Sequence, residues 1–212
     1  MRKKEKLVYG VGINDADYRV QEKITVVDEE GKKKQKLVWI CPFYEKWKPM
    51  LRRCYSAKYQ EVRPTYIGCS VSEDWLRFST FKAWMAAQDW EGMEIDKDIL
   101  FPNNKIYSPE TCVFINHKVN VFLTESNASR GQWMIGVYWH KVANKFTAMC
   151  NDGTGKRKYL GLFDTEIQAH RAWLKYKQEL SLKLASEQTD ARVAKALIDR
   201  YENYVVREKE IA

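Results

Sequence analysis

Three short strand-like runs, "WMIGVYWHKV", "KFTAMCN" and "KRKYLGLF", follow one another between residues 133 and 163, separated by turns at "ANK" and "DGTGK". Strands joined by turns this short form one small sheet, and a sheet needs something to cover a face. The next stretch, "DTEIQAHRAWLKYKQELSLKL", has helical spacing, with Asp164 as N-cap and Glu166 in the first turn. Its Ile167, Ala169, Ala172, Trp173 and Tyr176 can pack on the sheet. A last helix, roughly 190 to 208, gathers Val193, Leu197, Ile198, Tyr201 and Val205 on one face. That face needs a partner, either this domain or a second subunit, so a homodimer through the C-terminal helix is one expectation.

The preceding residues alternate between strand and helix signals. "DYRVQEKITVV" and "KKQKLVWI" flank "DEEGK" and read as a β-hairpin. From Pro42 the period changes: Tyr44, Trp47, Met50, Leu51 and Cys54 recur at helical spacing. "RPTYIG" is a connector, and Glu73 to Trp90 reads as helix again. The tryptophans at regular helical offsets there are core residues rather than stacking platforms. "MEID" and "CVFI" read as short strands separated by the loop "FPNNK" and the turn "YSPET". Asn116 can cap a helix from His117 to about Thr124, and "ESNASRG" has linker composition. The division this predicts is an N-terminal hairpin region (1–40), a central region (41–124), a sheet-helix module (130–183) and a C-terminal helix (184–212).

The 212 residues carry a net charge of +8 and are 45% hydrophobic, which supports a packed core. Residues 130–183 hold ten lysines and arginines against four acids, whereas 41–129 hold eleven of each. A positive excess gathered in one module fits a polyanionic partner. No apolar run reaches the ~18 residues of a membrane span. No apolar region follows the basic "MRKKEK", so a secretory signal is not expected. Five widely spaced cysteines, an odd number, point to a reducing, cytoplasmic setting.

The run "GVYWHKVANKFTAMCNDGTGKRKYLGLFDTEIQAHRAWLKYK" resembles the APETALA2-type DNA-binding domain. The marks are Gly136-Val137, Lys145-Phe146, Ala148, Leu160-Gly161, Phe163-Asp164-Thr165 and Ala169, in order and spacing over about fifty residues. The resemblance implies a three-stranded antiparallel sheet on one helix, with its exposed face in the major groove of double-stranded DNA. Carried over position by position, it selects Tyr138, His140, Met149, Asn151, Arg157 and Tyr159 as contacts. Where the family often has several arginines, only Arg157 remains. Lys141, Lys145, Lys156 and Lys158 are placed to hold phosphates without reading sequence. His140 falls on the DNA-facing surface and His170 at a surface or boundary position of the helix.

Upstream, "YEKWKPMLRRCYS", "YIGCSVSEDWLRFSTFKAWM" and "IDKDIL…NKIYSPETCVFI" resemble the phage-type His-Asn-His (HNH) endonucleases, homing or nicking enzymes often followed by an APETALA2-type domain. That resemblance covers about residues 7–180 and implies an α+β chain. A helical lead-in and a ββα-metal nuclease core would precede the sheet-helix module. It implies Asp96 and Asn120 as metal ligands, oxygen donors that suit Mg²⁺ or Mn²⁺. It places Lys97 at the base position and Thr111 at the orienting position, both departures from the general pattern. A lysine accepts a proton only if its pKa falls far below ~10.4. Lys97 can instead act electrostatically while Asp98 or His117 takes the proton. A core with base and orienter both replaced also fits a non-cleaving DNA-binding or regulatory protein. Cys41, Cys54, Cys69 and Cys112 flank the core and raise the alternative of a structural zinc site, although no CxxC pair exists. The default for them is small buried hydrophobes.

Overall fold

The computed structural model describes residues 7–124, 132–202 and 204. The chain is mixed α+β and divides into two compact units, Met1–Phe114 and Ile115–Ala212. The segment "ESNASRG", the extreme N-terminal residues and the end of the last helix, Val205 included, lie outside the described residues.

The first unit opens with residues that pack inward before the hairpin begins. Val20 is buried, and Val8, Tyr9 and Val11 lie against the core. Strands β1 (Gln21–Val27) and β2 (Lys33–Ile40) form the antiparallel hairpin, with a bulge beside Glu22. Helix α1 (Pro42–Tyr55) places Tyr44, Trp47, Met50, Leu51 and Cys54 on its buried face. The short helix α2 (Ala57–Val62), capped by the Ser56 side chain, and a 3-10 turn (Pro64–Tyr66) follow. Trp47 and Trp75 are fully buried, and the Trp47 indole N–H donates to the Trp75 carbonyl at 2.7 Å. The tryptophans are core, as their spacing requires.

The helix expected over 73–90 is two pieces, a 3-10 turn (Glu73–Leu76) and α3 (Phe78–Ala86). The break has a cause far away in sequence. The main chain of Ile13 bridges this point, its N–H donating to Leu76 and its carbonyl accepting from Phe78. Arg77 is therefore extended, and Asp15 supplies the start of α3 by accepting from the Ser79 N–H and hydroxyl. Two short strand pairings follow. β3 (Ser70–Val71) runs parallel to β5 (Ile106–Tyr107), and β4 (Glu94–Asp96) pairs with β6 (Val113–Ile115).

The second unit holds α4 (His117–Leu123), the antiparallel sheet β7 (Val137–His140), β8 (Lys145–Asn151) and β9 (Arg157–Phe163), then α5 (Glu166–Ser186) and α6 (Ala191–Glu202). Asn116 caps α4, accepting from the Val119 N–H at 2.9 Å. The cap of α5 is Thr165, in a reciprocal capping box with Gln168, one residue beyond the Asp164 that the sequence pointed to. Asp164 instead pairs with Lys145 at 2.9 Å. The sheet buries Val137 and Ala148 against Ala169 and Met134.

The boundary between units falls ahead of α4 rather than in the linker-like segment. Within the second unit α4 is tied to both later helices. The Lys177 ammonium donates to the Phe122 carbonyl at 2.8 Å and lies 3.6 Å from the centroid of that ring. Phe122 also packs edge-on against Tyr201, and Lys118 pairs with Glu187. The apolar face of α6 is occupied as well: Val193, Leu197 and Tyr201 are buried, and α6 packs on α5. Among the described residues no helix is long and apolar enough to cross a membrane.

Candidate nucleic-acid interface and nuclease-like loop

A β-bulge decides which side chains share the outer face of the three-stranded sheet. Cross-strand partners point to the same side. Tyr138 faces Thr147 and His140 faces Lys145, while Met149 faces Tyr159 and Asn151 faces Arg157. The register shifts between Ala148 and Met149, so that Ala148 pairs with Gly161 and Met149 with Tyr159. Leu160 is the extra residue, and Gly161 at φ 133° absorbs the distortion. The shift puts Tyr159 and Arg157 on the side of Tyr138, His140, Met149 and Asn151, opposite the face that packs on α5. Six positions expected to face DNA thus share one surface.

That surface is rich in half-exposed rings and polar tips. Tyr138 is 45% and Tyr159 56% exposed. The Arg157 guanidinium reaches across β8 to lie 5.8 Å from the Tyr138 ring centroid. His140 is exposed, and its Nδ1 accepts the Ala143 N–H. The Asn151 side-chain oxygen accepts the Gly153 N–H at 2.8 Å and fixes the following turn. Lys141 and Lys156 are exposed in the two turns. Lys158 stands apart from the others: it pairs with Cys150 on the helix-facing side and lies over Tyr176 of α5, 4.4 Å from the ring centroid. His170 is buried, not at a boundary; it stacks on Trp173, with Nδ1 3.0 Å from the Ile135 carbonyl oxygen.

In the first unit the loop after β4 is built around Asp96 and Lys97. One Asp96 oxygen accepts the N–H of Asp98 at 2.8 Å and of Ile99 at 2.7 Å, an Asx-type turn that ends the strand. The other oxygen has no hydrogen bond among the described residues. Burial raises the pKa of Asp96; the two N–H donors and the Lys97 charge oppose that, while Asp98 adds to it. Lys97 is buried, 6% exposed, and its ammonium donates to both Asp98 oxygens at 2.6 and 2.7 Å and to the Asn104 carbonyl at 2.5 Å. All three of its N–H bonds are thereby engaged.

Asn104 closes the same loop from the other side. Its amide donates to the carbonyls of Lys97 and Ile106, and its oxygen accepts the Ile106 N–H. Asn104 is a loop-closing residue with no motif to mark it, although a side chain that imitates backbone is what an Asn-rich loop provides. Thr111 donates to the Ile106 carbonyl at 2.7 Å and accepts from the Ser108 N–H, which fastens the turn ahead of β6. In the second unit, His117 is the exposed first residue of α4 and Asn120 is half-buried one turn on.

The four cysteines considered for zinc are buried free thiols. Burial pushes Cys54 and Cys112 up to about 12, which keeps them protonated. Among the described residues, no group of three or more His, Cys, Asp or Glu is placed to hold a metal ion. No protein-family model, curated protein or solved structure matches the chain.

Proposed function

We propose that this chain binds double-stranded DNA through the outer face of β7–β9, in the manner of an APETALA2-type domain. One observation carries the reading: the bulge at Leu160 gathers Tyr138, His140, Met149, Asn151, Arg157 and Tyr159 on a single face that α5 leaves uncovered. Arg157 and Asn151 have the donor geometry for base edges or phosphates, and Lys141 and Lys156 flank them as phosphate contacts. Lys145 joins them by exchanging Asp164 for a phosphate. Four cationic contacts correspond to a log K against log salt slope of about −3.6. Titration of the full chain against a labelled duplex over a KCl series tests this. A slope near that value or steeper supports the reading, and salt-independent binding contradicts it.

Metal-dependent phosphodiester hydrolysis of the HNH type is the second reading. The strand-end carboxylate Asp96 favours it, with one oxygen fixed by two backbone N–H groups and the other without a hydrogen bond among the described residues. Mg²⁺ and Mn²⁺ commonly take one or two carboxylates, filling the remaining positions with water and phosphate oxygens. A bound cation would supply charge stabilisation at the leaving oxygen. Within the chain, Asp96 would orient that cation while Lys97 and Asn104 hold the loop in shape. Because Lys97 and Asp98 are engaged with each other, His117 is the remaining candidate for the proton acceptor. Supercoiled plasmid incubated with Mg²⁺, Mn²⁺ or EDTA tests this reading. Nicking that needs metal and vanishes in Asp96→Ala supports it. Binding without nicking leaves a DNA-binding protein on a nuclease-like scaffold.

A further inference from the structure

The balanced charge of residues 41–129 hides a polarised surface. Residues 46–67 carry six lysines and arginines against a single acid, Glu61. A run like this is ordinarily a solvated face laced with ion pairs. Here Arg52, Arg53, Lys58 and Arg63 have no carboxylate within salt-bridge distance among the described residues. Arg52, Lys58 and Arg63 are exposed.

The cluster is also packed and hydrogen-bonded. The Arg52 guanidinium lies 4.7 Å from the Tyr59 ring centroid and that of Arg53 lies 5.7 Å from Tyr66. The two tyrosine rings meet at 5.8 Å, so the four side chains are continuous. Gln60 fixes their backbone, its amide donating to the carbonyls of Arg53, Cys54 and Tyr66. Lys105 donates to the carbonyls of Thr65 and Ile67, which brings one more positive charge to the same turn. Arg53 is half-buried and hydrogen-bonded to the buried Tyr107 hydroxyl, so it anchors the stack from within. The exposed Arg52, laid on the Tyr59 ring, keeps its N–H edge available for a bidentate oxyanion and loses less entropy on binding. The guanidinium groups occupy the tyrosine faces, which disfavours base stacking and favours backbone contact.

We infer that Arg52, held on the Tyr59 ring by the stack that Tyr66 and Arg53 complete, forms with Lys58 and Arg63 a second DNA-contact surface that grips the sugar-phosphate backbone of a duplex. This inference rests on the DNA-binding reading above, but on different residues in a different unit. It makes the first unit a contributor to affinity in its own right, with no demand for a particular sequence.

The test uses the full chain and a labelled duplex of about 20 base pairs across a KCl series. The Lys58→Ala/Arg63→Ala variant removes two exposed cations that have no ion-pair partner among the described residues, so its melting temperature should stay near wild type. Its salt slope is expected to become shallower by about 1.8, with a loss of affinity of about tenfold or more at 0.1 M salt. Arg63→Glu alone should reproduce the loss by a single repulsive charge. A control on the hairpin, Lys23→Ala/Lys36→Ala, removes the same charge and should leave the slope near wild type. Equal losses in patch and control variants overturn the inference, because net charge alone then accounts for them. So does an unchanged patch variant in a chain whose binding still depends on Arg157, and in that case the sheet reading survives. A wild-type chain that binds no duplex overturns both.

Discussion

Lys97 stands where the resemblance to HNH nucleases would put a base, and its hydrogen bonds show it holding a loop in shape. Its three N–H bonds go to Asp98 and to the Asn104 carbonyl inside a loop that Asn104 closes from the opposite side. Removing the side chain strands the loop carbonyl and leaves Asp98 without its counter-ion. Because the Asp98 carboxylate is half-exposed, Lys97→Ala is expected to cost about 1–2 kcal/mol in a urea melt, the scale of a buried acceptor left without its donor. A melt within about 0.5 kcal/mol of wild type would contradict the structural role. Asp96 makes a separate prediction through pH. Its pKa is raised, so the stability tied to its neutral form is complete below the ordinary 3.8 and is lost as pH rises through the raised value. Asp96→Asn keeps the oxygen that accepts both N–H bonds and removes the charge. In EDTA at pH 7 the variant should therefore melt higher than wild type, and the gap should close near pH 3. A variant that melts lower at pH 7 would contradict this.

Elements whose signals are local were legible in the sequence, and those shaped by distant chain were not. The three strands, the hairpin, α1 and the Asn116 cap rest on alternation, period and one side chain each, and they appear where the sequence places them. The Glu73–Trp90 segment reads as continuous helix because nothing local announces that Ile13 will take main-chain bonds on either side of Arg77. Likewise the cap of α5 moved by one residue because Thr165 and Gln168 satisfy each other, while Asp164 found Lys145. The bulge at Leu160 was invisible too, although the Gly161 beside it is the residue type that permits one. Gly136 marks the tightest approach in this module. It sits at φ 80°, and a Cβ there would lie 2.1 Å from Cδ1 of Trp173, a side chain that is itself buried. Gly136→Ala is expected to destabilise the second unit by about 3 kcal/mol through overpacking and backbone strain. Thermal melts followed by tryptophan fluorescence read this out, and an unshifted transition would contradict it.

Across the whole chain, charge is more informative by position than by total. The sequence located a positive excess in the sheet-helix module, but an even count over residues 41–129 concealed the run at 46–67. Which cations face a ligand is a property of pairing and register. Lys145 is tied to Asp164, Lys158 lies against α5, and Arg157 lies on the exposed face. The candidate nuclease residues were legible as residue types at spacings, since Asp96 does end a strand and His117 and Asn120 do lie on a helix. Lys97, Asp98 and Thr111 were not legible in their roles, because those roles are set by the hydrogen bonds that close one loop. Arg157 and Lys158 offer the most direct test of the central claim. They are neighbours in sequence, carry the same charge and stand on opposite faces of the sheet. In a duplex titration at fixed salt, Arg157→Ala should lose about tenfold in affinity and about 0.9 in salt slope, whereas Lys158→Ala should lose far less. Equal losses, or a greater loss for Lys158→Ala, would contradict the assignment of the outer face as the DNA-binding surface.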